Sequence, residues 1–328
     1  MKYQDFTAAC CGAVLALAIG AGSVAAQEKV ELIYSDTVQE SDRRSTILRD
    51  AFAGCLGDGF EFKPYFGATL FKQGTELTAM QRGNLDMANL AIFDFYNQLP
   101  ETSILGTAYL WRDYDHMRAT FDSDVMDDLI AKIEGETQIK VLAWPYIGTR
   151  HVNIRGDKEI MTPADLAGIK LRMPGGEGWQ FVGEALGANP TPLAFTEVYT
   201  ALQTGAVDGQ DNPLPADKQM KFYEVTNQII LTGHLIANNV FSISRQKWES
   251  LNGDQQAKVS ECARTFQDAM DKNTLEQEAE LVSFFEGEGL KVYEPNKEAF
   301  REHVLGVYKA SKFSKDWPDG LLEKINGL

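Results

Sequence analysis

Gly168-Ile169-Lys170-Leu171-Arg172-Met173-Pro174-Gly175-Gly176 reads as a short strand with a stop at each end. Gly168 closes what precedes it, and no strand continues through Pro-Gly-Gly. The strand leaves Arg172, between Leu171 and Met173, as a fixed cation at its end. Upstream, Thr162-Pro163-Ala164-Asp165 has the form of a helix start: a capping hydroxyl, a proline at the first helical position and an acid in the first turn. Downstream, Glu177 to Leu186 is helical, Gly187-Ala188-Asn189-Pro190 breaks it, and Glu197 to Gln203 is helical again. Val207 to Gln210 is long enough only for a sheet edge or an extended crossing, and Asp211-Asn212-Pro213 turns out of it.

Farther out the same alternation holds. Val30 to Ser35 and Phe60 to Phe66 read as strands around a helical segment, Asp42 to Leu56, in which Ile47, Leu48, Ala51, Phe52 and Cys55 share a face. Helices at Glu76 to Arg82 and Asp115 to Ile133 are followed by short strands at Leu85 to Ala91 and Ile139 to Ala143. Two separate strands are expected at Val225 to Leu231 and Asn239 to Ile243. Asp254 to Phe285 is the longest helical run, free of Gly and Pro, followed by a strand at Leu290 to Tyr293 and a helix from Glu298 to Tyr308. Such alternation predicts an α/β fold with a largely parallel sheet covered by helices, and the chain length predicts two lobes. The long helix is expected to brace them.

Residues 8–26 carry no charge and end in Val24-Ala25-Ala26 before Gln27-Glu28-Lys29, the pattern of a signal peptide cleaved after Ala26. No second apolar run is long enough to span a bilayer. The 47 acidic against 31 basic residues give a formal charge of -16 with no basic cluster, which argues against nucleic acid as a partner. Cys10 and Cys11 would leave with the leader. Cys55 and Cys262 remain, both on helical segments, and either pair in an oxidising compartment or sit as small buried residues.

Motifs for chemistry are missing. His116, His151, His234 and His303 have no metal-ligand spacing, and there is neither a nucleophile elbow nor a phosphate loop. No catalytic residue, metal or cofactor is expected. Arginines are more informative. Arg172 ends one strand, and Arg150, in Tyr146-Ile147-Gly148-Thr149-Arg150-His151, ends another where the chain changes lobe. A guanidinium fork matches a carboxylate, from either a ligand or an internal acid.

The chain resembles the periplasmic solute-binding proteins of tripartite ATP-independent periplasmic (TRAP) transporters, of the dicarboxylate- and sialic-acid-binding type. The likeness is carried by Gly148-Thr149-Arg150, by Gly168 to Pro174, and above all by the run Gly187 to Pro213. Its centre is Phe195-Thr196-Glu197-Val198-Tyr199 and Val207-Asp208-Gly209-Gln210-Asp211-Asn212-Pro213. The resemblance implies a two-lobed binding protein with a ligand cleft between the lobes. Residues 27–148 and 238–277 would form lobe I, and 149–237 and 278–328 lobe II. It further implies that Arg172 makes the central salt bridge to a ligand carboxylate, that Arg150 and Asn212 add contacts, and that Phe195 forms an apolar wall. The protein would work as a monomer in the periplasm and hand a small carboxylate to TRAP membrane permease subunits.

One departure narrows the ligand. Where sialic-acid binders of this family place a glutamate in the ligand-facing loop, this chain has Ala91. Beside Arg172 it carries Glu177, Trp179 and Gln180. With Asn153 these are expected to hold the hydroxyls of a sugar acid such as a hexuronate or aldonate, Glu177 disfavouring a C4-dicarboxylate, the alternative ligand class.

Overall fold

A computed structural model describes residues 29–328; the expected leader, with Cys10 and Cys11, lies outside the described residues. Ten strands form one continuous sheet: β1 (Val30–Ser35), β2 (Phe60–Tyr65), β3 (Met87–Ala91), β4 (Ile139–Ala143), β5 (Tyr146–Ile154), β6 (Lys170–Met173), β7 (Asn189–Pro192), β8 (Gly209–Pro213), β9 (Gln228–Ser244) and β10 (Lys291–Tyr293). The order is β2-β1-β3-β9-β5-β8-β6-β7, with β4 and β10 also paired to β9.

The expectation of a largely parallel sheet holds at the outer strands and where β10 pairs with β9. β1 runs parallel to β2 and β3, and β6 parallel to β7 and β8. In the centre β9 is antiparallel to β3, β4 and β5, and β5 antiparallel to β8. The reason is topological: β5 carries the chain from lobe I to lobe II, β9 carries it back, and two neighbouring strands run in opposite senses. The two strands expected near 225–243 are one strand of 17 residues. Its Gly233, at φ 57°, sits where the β5 register slips between Arg150 and Val152, a bulge that bends the strand without ending it.

β8 also departs from expectation. It is no edge: β5 and β6 flank it, and all of Gly209–Pro213 is buried. The helix expected over 115–133 is two pieces, Tyr114–Asp122 and a run starting at Asp124, because Ser123 is extended and its Oγ caps Val125 N–H.

Lobe I packs around aromatics: Phe52 lies edge-on to Phe241 at 5.0 Å and to Phe62 at 5.3 Å. Each such buried ring contributes roughly 1.5–3 kcal/mol. The long helix is Gly253–Gly287, 35 residues and about 52 Å long. Its first half buries Val259, Phe266 and Met270 in the lobe I core, and its last turns bury Leu281 and Phe285 against Leu214 and Ile229 of lobe II. Between them Glu278 accepts hydrogen bonds from Tyr146 Oη at 2.7 Å and Thr149 N–H at 2.5 Å, fixing the start of β5 to the brace. Cys55 and Cys262 are joined as a disulfide, settling the choice the sequence leaves open. Among the described residues no helix is long and apolar enough to cross a membrane.

Candidate functional site

The C-terminal ends of β6 and β8 and the first half of β5 converge on a cavity of about 360 Å³ between the lobes. Arg172, Arg150, Asn212, Phe195 and Trp179 line it from lobe II. β6 places Arg172 there because Pro174 ends the strand and turns the chain away just beyond it, leaving Arg172 at the cleft while Met173, on the opposite face, packs in the core.

The two arginines are in different states. Arg150 is held by Asp211 through a two-bond fork, Nε to Oδ2 at 2.7 Å and Nη2 to Oδ1 at 3.0 Å. His234 Nε2 lies 3.1 Å from the same carboxylate. Burial would raise Asp211, but Arg150 and His234 override it and hold the carboxyl far below the usual range. Arg172 is 1% exposed and, among the described residues, has no carboxylate partner. Its Nε donates to the Leu193 carbonyl at 2.9 Å and its Nη2 reaches Gln73 Oε1 at 3.4 Å. Burial, with Arg150 nearby and Asp211 only partly compensating, lowers its pKa to about 9. It remains a cation at neutral pH, short of counter-charge.

Phe195 turns its ring toward that cation, 5.9 Å from the guanidinium carbon. Trp179 is engaged by protein: its ring stacks on Phe93 of lobe I with centroids 3.8 Å apart, and Arg150 lies over it at 4.7 Å. It is an edge of the cleft and a clasp between lobes, not a free face for a sugar. Gly178 beside it is required for that approach, since a Cβ there would lie 2.3 Å from the Tyr96 ring. Asn212 borders the cavity and donates to Gln210 Oε1.

Three expected ligand partners are turned elsewhere. Glu177 is exposed and pairs with Lys312. Gln180 donates to the Pro174 carbonyl at 2.8 Å, bracing the loop beneath Arg172. Asn153 is buried behind β8, donating to Thr226 Oγ1 at 2.8 Å and to the Gln228 carbonyl at 3.0 Å while accepting from Gln210. The cause is the same in each case: an internal partner lies closer than the cleft.

Lobe I supplies the residues that sequence reasoning missed. Gln73 Oε1 accepts from Phe195 N–H at 2.9 Å as well as from Arg172, bridging the cleft. Glu76, Asp94 and Asp36 face the cavity, as do Ser35 and Asn89. Burial pushes Glu76 up to about 8, with Asp94 and Asp36 adding to the rise, and pushes Asp94 up to about 7. Among the described residues no three His, Cys, Asp or Glu side chains are grouped as metal ligands. One anion pocket, two fixed amides and a set of buried acids on the facing wall suit capture of an acid with a polar tail.

Comparison with known proteins agrees. Residues 52–316 match the family model described as DctP, bacterial extracellular solute-binding protein, family 7. The sialic acid-binding periplasmic protein SiaP of Vibrio cholerae is 34% identical over 249 residues, 75% of this chain and 76% of that protein. The 2,3-diketo-L-gulonate-binding periplasmic protein YiaO of Escherichia coli is 30% identical over 261 residues, 79% of each. A crystal structure of a TRAP periplasmic solute-binding protein from Roseobacter denitrificans, with 3-deoxy-D-manno-oct-2-ulosonic acid bound, superposes with a TM-score of 0.89 at 44% identity, covering 92% of this chain and 99% of that one. The chain therefore belongs to the bacterial extracellular solute-binding proteins of family 7, the periplasmic solute-binding proteins of TRAP transporters.

Proposed function

We propose that this protein captures a sugar acid in the cleft between its lobes, performs no reaction on it, and delivers it as a monomer to a TRAP membrane permease. Arg172 carries the reading: a fully buried guanidinium at the head of a cavity with no carboxylate of its own is a site that an anionic ligand completes. The ligands named for the three relatives above are all acids on hydroxylated carbon chains, which supports a sugar acid over a plain dicarboxylate. Arg150 acts at one remove, since its fork is filled by Asp211; it presents Trp179 and adds positive potential. Asn212 and Phe195 complete the head-group pocket.

A thermal-shift screen of hexuronates, aldonates, 3-deoxy-D-manno-oct-2-ulosonate, short hydroxy acids and C4-dicarboxylates tests this through ligand linkage. Stabilisation by succinate or malate and by no polyhydroxy acid would overturn it, and consumption of any component would show an enzyme. The secreted form is proposed to begin at Gln27, which intact-mass analysis of exported protein decides, and light scattering decides the monomer.

A further inference from the structure

The lobe II side of the cavity holds the ligand's carboxylate; nothing so far assigns the opposite wall. That wall is acidic and its polar atoms are incompletely bonded. Glu76 is 6% exposed, and its carboxyl is met by the backbone N–H groups of Gly74 and of its own residue but by no side chain among the described hydrogen bonds. Asp94 accepts only from Ala91 N–H, at 3.1 Å. Ser35, 1% exposed, has an Oγ without a partner, and Asn89 has a buried Oδ1 without one. Buried polar atoms rarely go unbonded, so these two unpartnered atoms, beside two carboxyls met only by backbone N–H groups on the same face of a binding cleft, point to a bound molecule that completes them.

Resting on the sugar-acid reading, we propose that Glu76 and Asp94, with Ser35 and Asn89, read the hydroxylated far end of the ligand. The site then takes sugar acids with a single carboxylate and rejects aldarates, which carry a second carboxylate at that end. The chemistry is asymmetric. A hydroxyl both donates and accepts, so it can give its proton to a carboxylate or to Asn89 Oδ1 while accepting from Ser35 Oγ or from a protonated neighbour. A carboxylate only accepts. Placed against Asn89 Oδ1 it supplies no proton, and placed against Glu76 and Asp94 it adds like charge in a closed space.

The other charges around the wall do not reverse this. Arg44 is committed to Asp42, with Nη2 to Oδ2 at 2.6 Å and Nε to Oδ1 at 3.0 Å. Asp36 receives the Tyr34 hydroxyl and Val38 N–H. Across the cleft Arg150 is committed to Asp211, which leaves Arg172 as the unpaired cation, and one carboxylate uses it. Lobe I thus continues the discrimination that the sequence suggests for Glu177, from different residues and at the opposite end of the ligand.

Titration calorimetry at pH 8 with gluconate, galactonate, glucuronate and 3-deoxy-D-manno-oct-2-ulosonate against glucarate and galactarate tests the assignment. Each aldarate repeats an aldonate skeleton with its terminal alcohol oxidised, so the pair isolates the far end. Wild-type protein is expected to bind its tightest monoacid at least tenfold more tightly than either aldarate. The Glu76→Gln/Asp94→Asn variant, checked for a cooperative melt, is expected to weaken that monoacid at least tenfold and bring the two classes toward parity. An aldarate bound as tightly as the best monoacid by wild-type protein, a comparison that needs no variant, would overturn the assignment and leave the sugar-acid reading standing. So would a double variant with wild-type affinity for the monoacid. Binding of no sugar acid at all would overturn both.

Discussion

Replacing Arg172 by Met should move stability and affinity in opposite directions. Folding buries this guanidinium to 1% exposure without a carboxylate partner, and the fall of its pKa from the ordinary guanidinium range to about 9 corresponds to a cost of at most about 5 kcal/mol while the group is charged. Met restores similar apolar volume and removes that cost. Against it stands the loss of the bond to the Leu193 carbonyl, about 1–3 kcal/mol for an acceptor left buried and unmet, and of the longer contact to Gln73. The ligand-free variant should therefore be more stable by about 1–3 kcal/mol, raising Tm by roughly 2–6 °C. Its affinity should collapse. Two charge-assisted bonds at about 1.5–3 kcal/mol each amount to a loss of roughly 10²- to 10⁴-fold in Kd. Arg172→Lys keeps the charge but not the fork, so it should lose about 10- to 100-fold. Scanning calorimetry without ligand and titration calorimetry with the tightest sugar acid give the two readings. A variant that melts several degrees lower and binds within threefold of wild type would refute the account of Arg172 as a cation awaiting its counter-charge.

Reduction of the Cys55–Cys262 bridge should lower Tm without touching affinity, since neither residue lines the cavity and the bridge closes a span of 207 residues, an upper limit of about 5 kcal/mol on chain-entropy grounds. Melting and titration with and without reductant check both halves. Gly178→Ala should hold the lobes apart, because the added methyl would sit 2.3 Å from the Tyr96 ring; at least tenfold weaker binding and a larger radius of gyration by X-ray scattering are expected. Ligand-free stability should fall as pH rises from 6.5 to 8. Glu76, raised to about 8, and Asp94, raised to about 7, bind more protons folded than unfolded there. His151, lowered to about 3, and His234, lowered by burial, act in the opposite sense, since their unfolded forms still lose protons in the lower part of that range, but the two acids release more and set the sign. Glu76→Gln should flatten the decline in a pH series of melts.

Arg172 was legible in place though not in partner: a strand that must stop at Pro174 puts it near a sheet end, where clefts form, while the choice between a ligand and an internal acid, which went to Asp211 for Arg150, needed the fold. The acids of lobe I were not. Glu76 and Asp94 are two of 47 acidic residues, and only the fold of lobe I over lobe II separates them from a solvated surface. Glu177 misled for a physical reason, since an acid at a helix start is favoured by the helix dipole whatever else it does, and its partner Lys312 lies 135 residues away. Asn153 and β8 failed together. Gln210 read as the end of an edge or crossing and Asp211-Asn212-Pro213 as a turn, yet Gly209–Pro213 is a fully buried strand because Arg150, His234, Asn153 and Asp217 satisfy its polar side chains. Satisfaction of that kind is a tertiary property. β9 was split because its strand-like runs are separated by Thr232-Gly233-His234, whereas pairing with β5 carries the strand past them.

The interleaving of the chain also sets an order of events. Lobe I starts at β1, but β9 must lie beside β3 before its sheet closes, and Phe266 and Met270 must arrive before its aromatic core is sealed. Cys55 waits for Cys262, near the start of the long helix. A chain crossing a membrane from its N-terminus would thus emerge with its first two hundred residues unable to complete either half. Folding of the first lobe would be withheld until most of such a polypeptide is across, so it would stay threadable in transit and commit only once β9 and the long helix have arrived.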